Sequence, residues 1–221
     1  GNGKSINSIR IAGTSSQYTG LFYRIGSLGK VYDLALTNVY VRGYITGALA
    51  ALLTAGGLVR NCYSTGTVFK NTVSSNGCIG GLIGEWQGGN LENSFSLCRI
   101  SGYGVGTLNT GGLVGKKGIT QVPVSCYYAT DIGNVNNSIG TGLTTAQFAS
   151  ASSFVGWDFN DLWEIDSVLL YPVFRVPVGY LFKDHFKVYS QDKLIYTGLI
   201  DTLFDPNTET TPNSGVFDII E

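Results

Sequence analysis

The chain has 221 residues, enough for one large domain or two small ones, and 43% of them are apolar. Charged residues make up 13% and the formal net charge is −1, which argues against a nucleic-acid-binding protein. No run of 18 apolar residues occurs, which argues against a membrane-spanning helix. Gly is frequent, at 31 residues, and Met is absent. We expect a processed or partial chain whose parent is longer.

The first part of the chain repeats with a period of about 30 residues, within the range that is typical of solenoids. A glycine–leucine step recurs with spacings of 31, 30 and 31 residues, and its leucines are Leu21, Leu52, Leu82 and Leu113. A polar position recurs with spacings of 28, 32 and 32 residues, and its occupants are Asp33, Asn61, Asn93 and Ser125.

The amino-acid composition of the repeats indicates which kind of solenoid they form. Gly costs about 1 kcal/mol in a helix interior, and no long amphipathic stretch occurs. Leu is too sparse for leucine-rich repeats, whereas short apolar stretches separated by Gly indicate β-strands. The sequence therefore predicts an all-β fold, with a right-handed parallel β-helix of about four coils over residues 1–143.

The repeat also predicts which side chains stack along the solenoid axis. Leu52, Leu82 and Leu113 are expected in one buried column, with successive Cα atoms about 5 Å apart. The polar column is expected at a turn, because Asn and Asp tolerate left-handed backbone, and its members can hydrogen-bond along the axis. The Gly pairs 56–57, 80–81 and 111–112 are expected at tight corners or at positive φ.

The four cysteines are predicted to be buried apolar residues. They lack C-x-x-C spacing and the chain has one His, so a zinc site is not expected. Cys62, Ser94 and Cys126 align in a column of small residues. Two coils separate Cys62 from Cys126 by ~10 Å, beyond the ~7 Å that a disulfide allows between Cα atoms.

Two of the repeats resemble a known family. The stretches "AGGLVRNCYSTGTV" (55–68) and "GGLIG" followed by "NLENSFSLCRISG" (80–102) are similar to GLUG-motif repeats. The resemblance extends over residues 1 to about 176. GLUG repeats are accessory repeats of large bacterial surface and secreted proteins, including adhesins and some immunoglobulin A proteases. The resemblance thus implies a β-helical repeat in a protein of that kind.

Residues 144–176 break the period and are predicted to cap the solenoid. Thr144 or Thr145 can begin a short helix, and Trp157, Phe159 and Trp163 lie close together in the sequence. An uncovered last coil would expose apolar side chains and strand edges. We therefore expect a short helix and an aromatic plug to cover that coil, with a glycan-binding aromatic platform as the alternative.

Residues 177–221 are predicted to be a β-rich tail or the start of a next module. Two stretches that alternate apolar and polar residues indicate a β-hairpin. The composition of residues 205–215 indicates a loop, and residues 216–221 indicate one further strand.

The sequence offers little catalytic chemistry. Residues 30–130 hold three acids, Asp33, Glu85 and Glu92, and no two occupy equivalent positions in neighbouring coils. Two clusters, 158–161 and 205–209, have oxygen side chains but no calcium-loop glycine, so turn chemistry explains them better. We predict no catalytic residue, no cofactor and no metal.

The favoured function is therefore a non-enzymatic extracellular structural or adhesion module, a stalk or binding repeat of a larger bacterial surface or secreted protein. Its expected partners are a protein or glycan on a surface, or copies of itself, with neither nucleic acid nor membrane insertion. Tyr44, Trp86 and Tyr103 are candidate contacts. Two alternatives remain: a subunit of a virion or extracellular filament, and a carbohydrate-active β-helix enzyme.

Overall fold

A computed structural model describes residues 1–72, 74, 76–103, 109–133, 137, 139–175, 185–190 and 193–199. The chain divides into two compact units, Gly1–Arg175 and Val176–Glu221. Most of the first unit is a parallel β-solenoid of about four turns, as the repeat predicts.

The strands of the first unit, in chain order, are β1 (Lys4–Asn7), β2 (Arg10–Ala12), β3 (Tyr18–Thr19), β4 (Phe22–Ile25), β5 (Lys30–Gly43), β6 (Ile45–Gly47), β7 (Ala50–Leu53), β8 (Leu58–Lys70), β9 (Ile79–Gly80), β10 (Ile83–Trp86), β11 (Asn90–Glu92), β12 (Phe95–Gly102), β13 (Thr110–Gly111), β14 (Val114–Lys117), β15 (Tyr127–Ala129), β16 (Thr141–Leu143), β17 (Trp163–Ile165) and β18 (Pro172–Phe174). A short helix, α1, spans Thr145–Phe148, and a 3₁₀ turn spans Ala151–Ser153.

Three parallel sheets wrap around a solid apolar interior. The first sheet has the order β1-β5-β8-β12-β15-β16, with β2 beside β5 and β11 beside β8. The second sheet has the order β3-β6-β9-β13, and the third β4-β7-β10-β14. The interior is filled by one cluster of buried side chains drawn from all three sheets, among them Leu36, Ile79 and Trp86.

The first sheet bends where the polar column passes through it. Asp33, Asn61, Asn93 and Ser125 all have left-handed backbone, with φ of 49°, 52°, 41° and 48°. L-residues rarely adopt this conformation, and Asn and Asp do so most readily. The recurring polar residue therefore marks the same corner in each coil.

The leucine alignment is wrong in the second coil. Leu52 pairs with Glu85, whereas Leu49 lies beside Leu82, to whose carbonyl its N–H donates at 3.0 Å. Leu82 donates in turn to Leu113 at 2.9 Å. The glycine–leucine step of this coil is Gly47–Ala48–Leu49, in which Ala replaces the second Gly. Leu52 points out of the interior core and packs in a separate cluster with Ile45, Ala51, Cys78 and Tyr44.

Glycines let the second and third sheets approach each other closely. A Cβ on Gly84 would lie 2.7 Å from the Ala51 oxygen and 2.8 Å from the Thr46 nitrogen. A Cβ on Gly115 would lie 2.6 Å from the backbone of Ile79. Of the predicted glycine pairs, only Gly56 has positive φ, at 78°. In the other pairs, a Cβ on Gly80 would meet the backbone of Ile83 and Gly115, whereas a Cβ on Gly112 would meet the Tyr128 side chain.

Both ends of the solenoid have strands that pair on one side within the described residues, and at the C-terminal end these are β13, β14 and β16. At the C-terminal end, β16 adds to β15, and the Asn137 side chain donates to the carbonyls of Val114 and Gly115 at 2.7 and 3.0 Å. At the N-terminal end, β1 to β4 each pair on one side within the described residues. Ile6 and Phe22, both on these strands, are each 37% exposed.

In the second unit, the described residues form the predicted hairpin, with β19 (His185–Ser190) antiparallel to β20 (Lys193–Leu199) and an irregularity between Val188 and Tyr189. The strand predicted at residues 216–221 and the cluster at residues 205–209 lie outside the described residues.

Candidate functional site

The segment after the solenoid packs along its side and covers outward-facing residues of several coils, the last strands included. It begins with α1, whose N-cap Thr144 forms a capping box with Gln147. From there Trp157, Trp163 and Phe174 form one buried cluster with outward-facing residues of the first sheet. Those residues are Ala35, Tyr63, Phe95 and Tyr127, which form one register column across four coils.

Distances within this lateral aromatic cluster show which coils it reaches. The rings of Tyr63 and Phe95 stack 4.7 Å apart, inclined by only 4°. Trp163 lies 6.1 Å from Tyr63 and 6.3 Å from Phe95, between centroids. The Trp157 indole donates to the Ser125 carbonyl at 2.9 Å. Phe159 is partly buried and packs against Trp157 and Phe154. The prediction that these aromatics plug the end coil is therefore wrong.

The column of outward aromatics was recognisable in the sequence. Tyr63, Phe95 and Tyr127 each follow the left-handed residue by two positions. The position between them holds Cys62, Ser94 or Cys126, which faces the interior, so the aromatic must face out. An outward column of three large rings needs a cover, and residues 144–174 supply it.

The polar column forms one axial hydrogen bond in the described residues. The Asn61 amide donates to Asp33 Oδ1 at 2.8 Å. The side-chain oxygen of Asn61, Oδ1, is buried and accepts no hydrogen bond from the described residues. The predicted ladder of side-chain hydrogen bonds therefore does not continue from Asn61 to Asn93. The polar column thus serves the backbone corner and the contact between Asn61 and Asp33.

The four cysteines are free and buried. The Cys62 N–H donates to Ser94 Oγ at 3.0 Å, which places Cys62, Ser94 and Cys126 in successive coils as predicted. Burial raises the pKa of Cys62 to about 12 and those of Cys78 and Cys98 to about 11, and it also raises the pKa of Cys126. Thiolate nucleophiles are therefore scarce at neutral pH.

One outer surface of the first sheet concentrates cationic and aromatic side chains, and we call it the arginine face. Its first column holds Arg10, Tyr40, Thr67 and Arg99, and its second holds Ala12, Arg42, Phe69 and Ser101. The alternating residues Val41, Val68 and Ile100 are buried, which turns both columns outward. The Arg10 guanidinium lies over the Tyr40 ring, 4.9 Å from its centroid.

The three arginines of this face have no carboxylate partner in the described residues. The ion pairs found there are Lys116 with Glu85, at 3.2 Å, and Arg175 with Glu164, at 3.7 Å. Arg10 and Arg99 are exposed. The Arg42 Nε is shielded from solvent and lacks an acceptor. The exposed guanidinium groups of Arg10 and Arg99 therefore retain unused hydrogen-bond donors and positive charge, whereas the buried Arg42 Nε is out of reach of a ligand.

A groove of about 500 Å³ adjoins the arginine face. Its lining residues are Gly66, Leu97, Arg99, Asp131, Ile132 and Gly133. The carboxylate of Asp131 accepts three hydrogen bonds from Thr145, of 3.0, 3.0 and 2.8 Å. These bonds lower the pKa of Asp131, which is thus committed to the start of α1.

A second group of aromatics lies on the first coils, where Tyr18 and Tyr23 are exposed and Tyr44 is partly buried. Tyr18 is 5.5 Å from Tyr23 and 6.4 Å from Tyr44, between ring centroids. Tyr103 lies elsewhere, at the arginine face, where its ring packs edge-on against Phe69. Trp86, predicted as a surface contact, is fully buried, and its indole N–H donates to the Gly89 carbonyl at 3.3 Å.

Metal-binding arrangements of three or more His, Cys, Asp or Glu do not occur in the part of the chain that the structure describes. In the cluster at residues 158–161, Asp158 Oδ1 accepts from the N–H groups of Asn160 and Asp161, both at 3.0 Å, which is turn chemistry. None of the described helices has the length and apolarity needed to cross a bilayer.

Comparison with known proteins gives two similarities. No family model matches the chain, so the GLUG resemblance stays a prediction. A protein of Evansella cellulosilytica, described as a Gly-rich membrane protein, is 36% identical over 115 residues, which are 49% of this chain and 13% of that protein. A Bacteroides ovatus structure named as a candidate immunoglobulin A1 protease aligns at 14% identity and TM-score 0.44, over 79% of this chain and 76% of that one. The chain thus spans a small fraction of the length of its relative in sequence.

Proposed function

We propose that the chain is a non-enzymatic structural and binding module of a larger bacterial surface or secreted protein. The observation that carries the proposal is the packing of residues 1–175. Three sheets enclose an apolar core, and the lateral aromatic cluster packs against the outer side of the first sheet. Such a body holds outward side chains at a fixed spacing of about 4.8 Å per coil.

The distribution of reactive groups supports a binding role over a catalytic one. The cysteines are buried with raised pKa values, and Glu85 is tied to Lys116. The exposed side chains on the arginine face are suited to contact a partner: guanidinium groups donate hydrogen bonds, and aromatic rings supply apolar area. The sequence relative described as a Gly-rich membrane protein supports a place at the cell envelope.

A binding assay combined with an activity assay tests the proposal. The full chain is incubated with immobilised bacterial cell-wall polysaccharides, and both retained protein and newly released reducing ends are measured. We expect saturable retention and no reducing ends above the level of a heat-denatured control. Release of reducing ends in proportion to protein concentration would instead support the carbohydrate-active enzyme.

The filament subunit remains a second candidate because of the N-terminal coil. The edges of β1 to β4 and the half-exposed Ile6 and Phe22 offer a surface onto which another β-coil can add. At the opposite end the Asn137 side chain occupies the carbonyls of Val114 and Gly115, while β13, β14 and β16 also pair on one side within the described residues. Sedimentation velocity over a hundredfold concentration range distinguishes the two: a constant monomer value supports the module, and growing species support the filament.

A further inference from the structure

We propose that the arginine face binds a linear anionic polysaccharide, one that carries carboxylate or sulfate groups along its length. This inference rests on the proposed binding function and names the ligand class and the surface. Arg10, Arg42 and Arg99 supply the charge, and the rings of Tyr40 and Phe69 lie between them.

The arginine face lies in the more basic part of the chain. Residues 1–175 contain 11 Lys and Arg against 8 Asp and Glu, although the whole chain is slightly acidic. No carboxylate occupies either column of the arginine face, which runs over four described coils. Guanidinium groups pair with carboxylate and sulfate oxygens through charge-assisted hydrogen bonds, and the guanidinium groups of Arg10 and Arg99 are exposed.

The arginines of this face are spread along the solenoid axis. Arg10 and Arg99 share a column and are three coils apart, or about 14 Å at the usual strand separation. Arg42 lies between them in the adjacent column. A polymer that carries a negative group on successive units can reach all three from one extended strand, and such multivalent contacts raise the apparent affinity. A single small anion would reach one arginine only.

The arrangement of the rings favours a polysaccharide over nucleic acid or an acidic peptide. One face of Tyr40 is covered by Arg10, and Phe69 is partly buried, so the arginine face presents one well-exposed ring, Tyr103, and not a row of rings on which successive bases could stack. Nucleic acid also usually engages about six or more phosphates, more than three arginines can serve. A peptide that adds as a strand needs a sheet edge, whereas this surface is the side of a sheet.

The test measures binding of the full chain to polygalacturonate, dextran sulfate, neutral dextran, single-stranded DNA and poly-glutamate at low and high salt. The double variant Arg10→Gln/Arg99→Gln removes two exposed charges. Arg60→Gln is the matched control, because Arg60 also lies over a tyrosine, Tyr32, on the first sheet but has Glu92 at the equivalent position of the next coil. Circular dichroism and melting curves establish that all proteins are folded.

We expect polygalacturonate or dextran sulfate to bind, with neutral dextran at least tenfold weaker and with affinity that falls as salt rises. The double variant should lose about tenfold or more, and Arg60→Gln less than about twofold. Preference for carboxylate or for sulfate identifies the source of the anion. Equal losses in both variants, tighter binding of DNA or poly-glutamate, or no binding of either anionic glycan would overturn the inference. Undiminished binding to cell-wall polysaccharide in the double variant would overturn it while leaving the proposed function intact.

Discussion

At the scale of single residues, backbone conformation explains the most regular feature of the sequence. Asp33, Asn61, Asn93 and Ser125 each occupy a left-handed corner of the first sheet. Asn and Asp lower the energy of that conformation because their short side chains hydrogen-bond locally, and Asn61 adds an axial bond to Asp33. The corner fixes which neighbours face inward and which face outward, and thus positions both the interior core and the lateral aromatic cluster.

The variant Asn61→Ala should lower the free energy of unfolding by about 1–2 kcal/mol, because Ala loses the bond to Asp33 and tolerates φ of 52° poorly. Asn61→Gly should cost less, since Gly adopts this φ without strain. Asn90→Ala, at an exposed strand position, is the control and should change stability by less than about 0.5 kcal/mol. Urea unfolding measures all three; an Ala variant no less stable than the Gly variant would contradict the role of the corner.

At the scale of elements, the sequence predicted the strands and the polar corner but misplaced one leucine and the aromatic segment. Both errors have physical causes. In "GALAALL" Ala48 replaces the second glycine of the glycine–leucine step, and Leu52 fits a uniform period better, with spacings of 31 and 30 residues against 28 and 33 for Leu49, so only strand pairing selects Leu49. The aromatics of residues 157–163 were assigned to the nearest apolar surface along the chain, the last coil. Their true target, the column of Tyr63, Phe95 and Tyr127, depends on contacts between distant residues.

Because the lateral aromatic cluster packs against several coils, a cavity in it should destabilise the strands that it covers. Trp163→Ala should cost about 3–5 kcal/mol, because the ring is 1% exposed and lies 4.4 Å from Trp157 and 4.5 Å from Phe174. Hydrogen exchange should accelerate in β8 and β12, which carry Tyr63 and Phe95. Leu28→Ala, at an 89% exposed position, should change neither quantity measurably. Acceleration confined to β15 and β16 would instead indicate an end cap.

Close packing of the second and third sheets predicts a strong effect of a single methyl group. Gly84→Ala should cost about 1–3 kcal/mol, since its Cβ would meet backbone atoms of Ala51 and Thr46 that cannot move independently. Gly118→Ala is a matched control, because the nearest atom to its Cβ would be the Trp86 oxygen at 3.9 Å. Thermal unfolding compares the two; equal melting temperatures would show that the sheets can separate without penalty.

At the scale of the whole molecule, the four buried cysteines connect stability to pH. They lie in the described coils at residues 62, 78, 98 and 126, and burial raises every one of their pKa values. In the unfolded chain a thiol ionises near its ordinary pKa of 9.0, whereas in the folded chain it stays protonated to higher pH. The stabilisation is therefore fully present below pH 9 and is lost as pH rises toward the folded-state pKa values.

Between pH 9 and 10 each thiol should remove about 1 kcal/mol from the free energy of unfolding, and four should remove about 4 kcal/mol in sum. Cys62→Ala should lower stability at pH 8 through the lost buried volume, but its stability should fall less steeply above pH 9, by about one quarter. Tyrosines with raised pKa, such as Tyr63, change the free energy of unfolding mainly above pH 10, and they do so equally in wild type and Cys62→Ala. The difference between the stability curves of the two proteins therefore reports the Cys62 thiol alone. Urea unfolding at pH 8, 9 and 10 gives that difference. A wild-type curve parallel to that of Cys62→Ala would mean that the Cys62 thiol ionises as readily in the folded chain as in the unfolded one, and that the interior of the solenoid admits water.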